Sequence, residues 1–139
     1  MIKSVTLGEE IVVSTKNNIG LLADISKMVA DYGINISAVL GHEVNGQAQL
    51  LLVTSANIRI IDELRKKGYE SVEETEVVVI DLENKPGALK VVTTELAKGK
   101  IDLRYLYVTS CSCGGSSRMV IQTTNNEKAM ALLDRFTQL

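Results

Sequence analysis

Two short stretches of this chain place an asparagine three residues before a glycine, directly ahead of an apolar run with helical spacing. They are Asn17-Asn18-Ile19-Gly20 and Asn84-Lys85-Pro86-Gly87. An asparagine amide offers an acceptor and two donors, and glycine lets a ligand approach the backbone because it has no Cβ. The first amides of the following helix would carry a partial positive charge that suits an anion. The same spacing is also typical of a plain turn with a helix cap, so the residues alone leave both interpretations open.

Catalytic or metal chemistry finds little support elsewhere in the chain. The single histidine, His42, is expected at the surface, and no acid–base pair lies within reach of a nucleophile in the sequence. Cys111 and Cys113 are one residue apart, so on a strand they would point to opposite faces, and we expect free thiols in a reducing compartment. A structural zinc needs four ligands. We predict no metal and no cofactor, and we expect a plain flexible hairpin around the cysteines. The alternatives for this segment are two thiolate ligands for a metal ion and a redox sensor.

Composition and charge exclude several further classes of function. The chain has 139 residues, a net charge of −2 and 4% aromatic residues. There is no basic excess for nucleic-acid phosphates or an anionic membrane, and few rings for stacking on bases. No apolar stretch approaches the roughly 20 residues of a membrane span, and the N-terminus does not read as a signal peptide. The sequence therefore predicts a cytoplasmic protein with neither a nucleic-acid nor a membrane partner.

The two asparagine–glycine stretches belong to a longer internal repeat with an offset of 67 residues. Apolar positions also recur at this offset, which indicates that both halves fold alike. The identical pairs are Asn17/Asn84, Gly20/Gly87, Leu22/Leu89, Ala30/Ala97 and Ile34/Ile101.

Each half predicts the order β-α-β-β-α, and the first half adds a last strand at about 70–75. Asn45-Gly46 and Gly114-Gly115 have the residue types of hairpin turns. This order is the split βαβ, or ferredoxin-like, unit. We place the join near Thr75, giving one repeat at residues 1–75 and a second at 76–139. The second half lacks its fourth strand, and we expect the segment at 2–7 to supply it; the alternative is an unpaired edge or a frayed N-terminus.

Three segments within this framework resemble the ACT domain. They are Glu83-Asn84-Lys85-Pro86-Gly87-Ala88-Leu89, Lys100-Ile101-Asp102-Leu103 and Gly33-Ile34-Asn35-Ile36. The resemblance covers both halves from about residue 9. It implies an α+β protein of two tandem ferredoxin-like (βαββαβ) units, paired side by side through their second strands and helices, with the helices on one face of an antiparallel sheet.

The resemblance also implies a ligand site at the interface between repeats. The two halves differ at this site. Asp102 is charged, whereas Asn35 at the matching position of the first half is neutral, and Ile19 stands where the second half has Pro86. A protein in which only one of the two sites binds a ligand is therefore compatible with the sequence. The positions that match ligand-contacting residues of the family are Asn17, Gly20, Leu21, Asn35, Asn84, Gly87, Ala88 and Asp102.

The function implied by this resemblance is a non-catalytic regulatory module that binds an amino acid. Such a module would act on a separate enzyme of amino-acid metabolism, and we expect a homodimer. Two alternatives remain open at the level of sequence. One is an assembly subunit that binds no ligand, and the other is a small enzyme on the same topology, for which no catalytic constellation is evident.

Overall fold

Six strands and four helices alternate along residues 1–110 and 115–137, the residues that the computed structural model describes. The strands are β1 (Ile2–Lys16), β2 (Ile36–Val44), β3 (Gln47–Thr54), β4 (Ser71–Glu83), β5 (Leu103–Ser110) and β6 (Ser116–Thr123). The helices are α1 (Leu21–Asp31), α2 (Asn57–Lys66), α3 (Ala88–Lys98) and α4 (Asn126–Asp134). The expected α+β class and the repeated β-α-β-β-α order are confirmed.

The chain divides into two compact units, which we call the first and the second unit. The first unit is Glu9–Thr75, and the second is Met1–Gly8 together with the chain from Glu76 onward. The long strands β1 and β4 therefore contribute residues to both. Within the second unit, the Glu83 amide donates to the Met1 carbonyl at 2.8 Å, so the beginning of β1 lies beside the end of β4.

The first unit has the strand order β2, β3, β1, β4. Strands β1, β2 and β3 pair antiparallel, and Leu52 lies opposite both Ile11 and Val39. The β2–β3 hairpin turns at Asn45 and Gly46, whose φ angles are 53° and 80°, as the sequence predicted. Alternate strand residues meet the apolar stripes of α1 and α2 in one core. Its large members include Ile11, Val13, Ile25, Val29, Leu50, Leu52, Ile60 and Leu64.

The second unit has the strand order β1, β4, β6, β5, and β6 pairs antiparallel with both β4 and β5. Its core follows the same alternation, because β-branched and other apolar residues on one face of the strands meet α3 and α4. The core includes Val78, Ile80, Leu82, Val92, Leu96, Met119, Ile121, Ala129 and Leu133. The predicted turn at Gly114-Gly115 lies in part outside the described residues.

Several helix ends differ in detail from the sequence prediction. The residue types that usually cap helices predict Ser55 or Asn57 at the N-cap of α2 and Asn125 or Asn126 at that of α4. Asn125 does cap α4, but Ala56 is the N-cap residue of α2. A proline is expected at or near the first position of α3, but this helix begins at Ala88 and Pro86 precedes the N-cap.

The left-handed residue after α3 is Lys100, with φ of 56°, whereas Gly99 has φ of −79°. Gly99 serves packing instead, since a Cβ there would collide with the Leu132 side chain. After α1 the left-handed residue is a glycine, Gly33, with φ of 70°, as is common at the C-terminal end of a helix.

Each unit presents one of its strands at the edge of its sheet. Strand β2 has β3 as its hydrogen-bonded neighbour, and β5 has β6. Apolar side chains on these edges remain exposed: Val39 at 44%, Leu106 at 38% and Val108 at 45%. Val39 and Leu106 lie opposite core residues of the neighbouring strand, so they extend the helix-bearing face beyond the cover of their own helices.

Candidate functional site

The turn between β4 and α3 leads into a helix whose N-cap residue is a glycine and so has no side chain to cap it. Gly87 is the N-cap residue, with φ of 89°, a backbone conformation that favours glycine. The Ala88 amide donates to the Lys85 carbonyl at 3.2 Å and closes the turn. The next amides of the first helical turn carry the partial positive charge of the helix end, and the N-cap residue offers them no side-chain acceptor. This arrangement suits an anionic group such as a carboxylate.

Charged groups gather where β4 enters this turn. The Glu83 carboxylate lies 2.8 Å from the Lys85 ammonium and 3.4 Å from the N-terminal amine of Met1. The hydrogen bond from Lys85, followed by that from the amine, holds the pKa of Glu83 below its ordinary value. Glu83 is therefore ionised at neutral pH, and the turn presents both signs of charge.

A cavity of about 230 Å³ lies against this turn, entirely within the second unit. Its walls come from the end of β4, the turn, the start of α3 and the facing ends of β5 and β6. The lining combines apolar and polar side chains and includes Leu82, Asn84, Lys85, Ala88, Val108 and Ser117. Asn84, a predicted site residue, thus lies beside Ala88 at a formed cavity.

Two serine hydroxyls meet across β5 and β6 in the same cavity. Ser110 and Ser117 are cross-strand partners, and their Oγ atoms are 2.8 Å apart. Ser117 is buried, with 6% of its surface exposed, whereas Ser110 is exposed. Sequence reasoning did not find these two residues, because the register of β5 against β6 brings them together. One signal was available, since Ser117 interrupts the apolar alternation of β6.

Asp102 lies away from this cavity, at the opposite end of β5. Its carbonyl accepts a hydrogen bond from the Thr124 amide at 3.0 Å, just before β5 begins. The strand from Leu103 to Ser110 is about 23 Å long at the usual rise per residue. The turn residues Asn84, Gly87 and Ala88 are therefore grouped within the unit, and Asp102 is not grouped with them.

The first unit repeats this geometry. Gly20 is the N-cap of α1 with φ of 88°, again without a side-chain cap, and the Asn17 amide donates to the Gly46 carbonyl at 2.9 Å. Leu21 is half-buried against the core of the unit. Ile19 is fully exposed, at 108%.

Asn35 lies at the other end of this sheet, where its carbonyl accepts from the Ser55 amide. The hairpin that contacts Asn17 and the start of β2 are separated by the length of β3. As in the second unit, the turn residues and the second-strand residue do not come together.

His42 and the two cysteines are the other residues that the sequence singled out. His42 is exposed and its Nε2 lies 2.8 Å from Oε1 of Gln49. Cys111 and Cys113 lie outside the described residues. Among residues 1–110 and 115–137, no three His, Cys, Asp or Glu side chains are placed to hold a metal ion. None of the helices in that part of the chain is long and apolar enough to cross a membrane.

Comparison with solved structures identifies the fold. A protein from Bacteroides thetaiotaomicron superposes with a TM-score of 0.85 at 23% identity, over 95% of this chain and 90% of that one. A structure of aspartokinase alpha and beta subunits gives 0.69 at 15% identity and full coverage of both chains. The regulatory subunit of aspartate kinase from Thermus thermophilus gives 0.67 at 12% identity, over 96% and 97% of the two chains.

The resemblance to the ACT domain that the sequence suggested is confirmed at the level of the fold. No family model matches the chain. No curated protein matches it either. At these identities the structural likeness describes the fold and leaves the function to the residues.

Proposed function

We propose that this protein is a non-catalytic regulatory module that binds a small amino acid at the Asn84–Leu89 turn of the second unit. The cavity of about 230 Å³ at that turn is the observation that carries the proposal. The uncapped first turn of α3 would take the carboxylate of the ligand. Asn84 Oδ1 and the ionised Glu83 would attract its ammonium.

The complete site would need residues from another repeat. Asp102 in the second unit and Asn35 in the first lie at the far ends of their edge strands from the turns. When two edge strands pair antiparallel, the start of one lies beside the end of the other. A second copy of this chain, pairing through β2 or β5, would thus bring Asn35 or Asp102 to a turn. This is the basis for proposing a homodimer with the ligand at an interface between repeats.

The first-unit turn is a second candidate for the same ligand. Asn17, Gly20 and Leu21 match Asn84, Gly87 and Ala88, and α1 also begins without a side-chain cap. Its first turn carries Asp24, which opposes an anion, whereas the first turn of α3 has no acidic residue. We therefore propose that the second-unit turn binds the ligand more tightly.

Regulation would be exerted on a separate enzyme of amino-acid metabolism. The similar structures include aspartokinase subunits and a regulatory subunit of aspartate kinase, which supports such a partner and a cytoplasmic location. On this proposal the two units are the two ACT repeats, and the beginning of β1 serves the second repeat. Coupling would require that the ligand bind one state of the assembly more tightly than another.

A thermal-shift screen of the whole chain against the common amino acids at millimolar concentration, with calorimetry on each hit, tests the proposal. A ligand at a hundredfold excess over its Kd stabilises the folded state by about 2.7 kcal/mol, which raises the melting temperature by several degrees. Asn84→Ala is expected to abolish most of the shift, and Asn17→Ala, the matched control in the first unit, to leave most of it.

Two results would contradict this assignment. A shift lost in Asn17→Ala and kept in Asn84→Ala would move the site to the first unit. The lack of any shift with any amino acid would favour the alternative function, an assembly subunit without a ligand.

A further inference from the structure

A serine occupies a core position of the second unit that the strand pattern would fill with an apolar residue. On β6, Met119 and Ile121 are fully buried members of the core, and Ser117 precedes them on the same face. Ser117 lies opposite Leu82, another core residue, and is itself buried. A buried hydroxyl among apolar side chains requires a reason, because its removal from water is unfavourable unless it is hydrogen-bonded.

The fold does not itself require this hydroxyl. The matching position in the first unit is Ala48, which lies opposite Thr15 on the equivalent pair of strands, as Ser117 lies opposite Leu82. Ala48 is buried to the same degree, at 5% exposed. The same backbone position thus accepts a methyl group in one repeat and carries a hydroxyl in the other, which lines the cavity.

The hydroxyl of Ser117 has one described partner, Ser110 Oγ at 2.8 Å. Each hydroxyl carries a single proton and two lone pairs, so their mutual bond uses one of the two protons. With respect to the residues that the structure describes, the pair therefore retains one O–H donor and further acceptor capacity at the wall of the cavity. The adjoining wall is apolar at Leu82 and Val108.

We infer that the Ser110–Ser117 hydroxyl pair recognises the side chain of the ligand by hydrogen bonding. This inference rests on the proposed amino-acid site at the Asn84–Leu89 turn. The turn engages the groups that all amino acids share, and the hydroxyl pair selects an amino acid whose side chain carries a hydrogen-bonding oxygen. The cavity, at about 230 Å³, is smaller than the pockets that hold drug-sized molecules, so the side chain must be short. An apolar side chain of equal size would leave the hydroxyl pair without a hydrogen-bonding partner. A site that loses a hydrogen bond in this way discriminates strongly against the apolar isostere.

Calorimetric titration of the whole chain with isosteric pairs tests this inference. The probes are L-threonine against L-valine and L-asparagine against L-leucine. For at least one pair, we expect the polar member to bind about tenfold or more tightly than the apolar one. Ser117→Ala should bring that preference to within about twofold while leaving the affinity for the apolar member unchanged. The variant is expected to fold, since alanine already occupies the matching position of the first unit.

The matched control is Ser116→Ala, which makes the same change on the preceding residue of β6. Its side chain points to the other face of the strand and accepts from Lys3 Nζ. It should keep the preference of the wild type. Equal affinities within both pairs in the wild type, or a preference that survives in Ser117→Ala, would overturn the inference and leave the binding site at the turn intact. Binding of none of the four probes or of any other amino acid would overturn both.

Discussion

Two carboxylates of the first unit, those of Glu9 and Glu74, repel one another. Glu9 on β1 and Glu74 on β4 line one cavity with Asn57 at the start of α2. Burial raises the pKa of Glu74, and the hydrogen bond and repulsion from Glu9 raise it further, while Asn57 acts in the opposite direction. The folded chain therefore binds this proton more tightly than the unfolded chain does.

The stability contributed by this proton is present in acid and is lost as the pH rises through the raised pKa of Glu74. Glu74→Gln removes the charge that repels Glu9 and keeps the shape of the side chain. We expect it to raise the melting temperature by about 1–3 °C at pH 7 and to change it little below about pH 3, where the carboxyl is protonated in both states.

Thermal unfolding followed by circular dichroism at the two pH values measures the effect of Glu74→Gln. Glu73→Gln, which alters the preceding exposed residue on the opposite face of β4, is the matched control and should have no such pH dependence. An equal change at both pH values would show that the repulsion between Glu9 and Glu74 is not the cause.

In each unit, the side chain of one asparagine links three elements of secondary structure by hydrogen bonds. Asn126 Oδ1 accepts from the Thr123 amide and hydroxyl at 3.0 and 2.9 Å, and its Nδ2 donates to the Glu76 carbonyl at 3.0 Å. Asn57 makes the same three bonds in the first unit, with Thr54 and Glu9. The amide thus joins the end of the third strand, the start of the second helix and the start of the first strand of each unit.

Replacing Asn126 should cost more than replacing the neighbouring N-cap. Asn126→Ala loses three hydrogen bonds, and at about 1 kcal/mol each we expect the free energy of unfolding to fall by about 2–3 kcal/mol. Asn125→Ala loses one bond, from the Lys128 amide, and should cost about 1 kcal/mol. Asn126→Asp keeps the two acceptor bonds and loses the donor, so an intermediate loss is expected.

Urea unfolding of the three asparagine variants gives these differences, provided the slope with denaturant is unchanged. Losses of equal size in Asn125→Ala and Asn126→Ala would contradict the role of Asn126 as the tie between three elements.

The order of these elements could be predicted from the sequence, because apolar periodicity and the repeated asparagine–glycine turn report local structure. The ends of helices were less predictable. Ala56 at the N-cap of α2 is possible because Asn57 satisfies the end of β3 instead of capping the helix. The cavity could not be predicted in full, since Ser110 and Ser117 meet through strand register, which depends on contacts distant in sequence.

For the molecule as a whole, the proposed function would make the oligomeric state part of ligand binding, because the residues of each candidate site lie at two ends of a sheet. The turn at Asn84 and the position of Asp102 are separated by the length of β5, and the turn at Asn17 and the position of Asn35 by the length of β3. Edge strands with unpaired backbone groups and exposed apolar side chains readily pair with another chain. Strands β2 and β5 lie at the edges of their sheets, with Val39 and Leu106 exposed along them.

A charge placed on an edge strand should therefore separate the copies and weaken ligand binding together. We expect the wild type to have the mass of two 15.1 kDa chains by size-exclusion chromatography with light scattering, and Val39→Lys or Leu106→Lys to shift the equilibrium toward one chain. Whichever variant becomes monomeric should also lose at least about tenfold in affinity for the amino acid that the screen identifies, because the residues at the far end of the partner strand no longer reach the turn. Ile58→Lys, which introduces the same charge on the exposed face of α2, should change neither mass nor affinity. A monomeric variant that binds with the affinity of the wild type would mean that one copy of the turn is sufficient and that Asn35 and Asp102 take no part in the site.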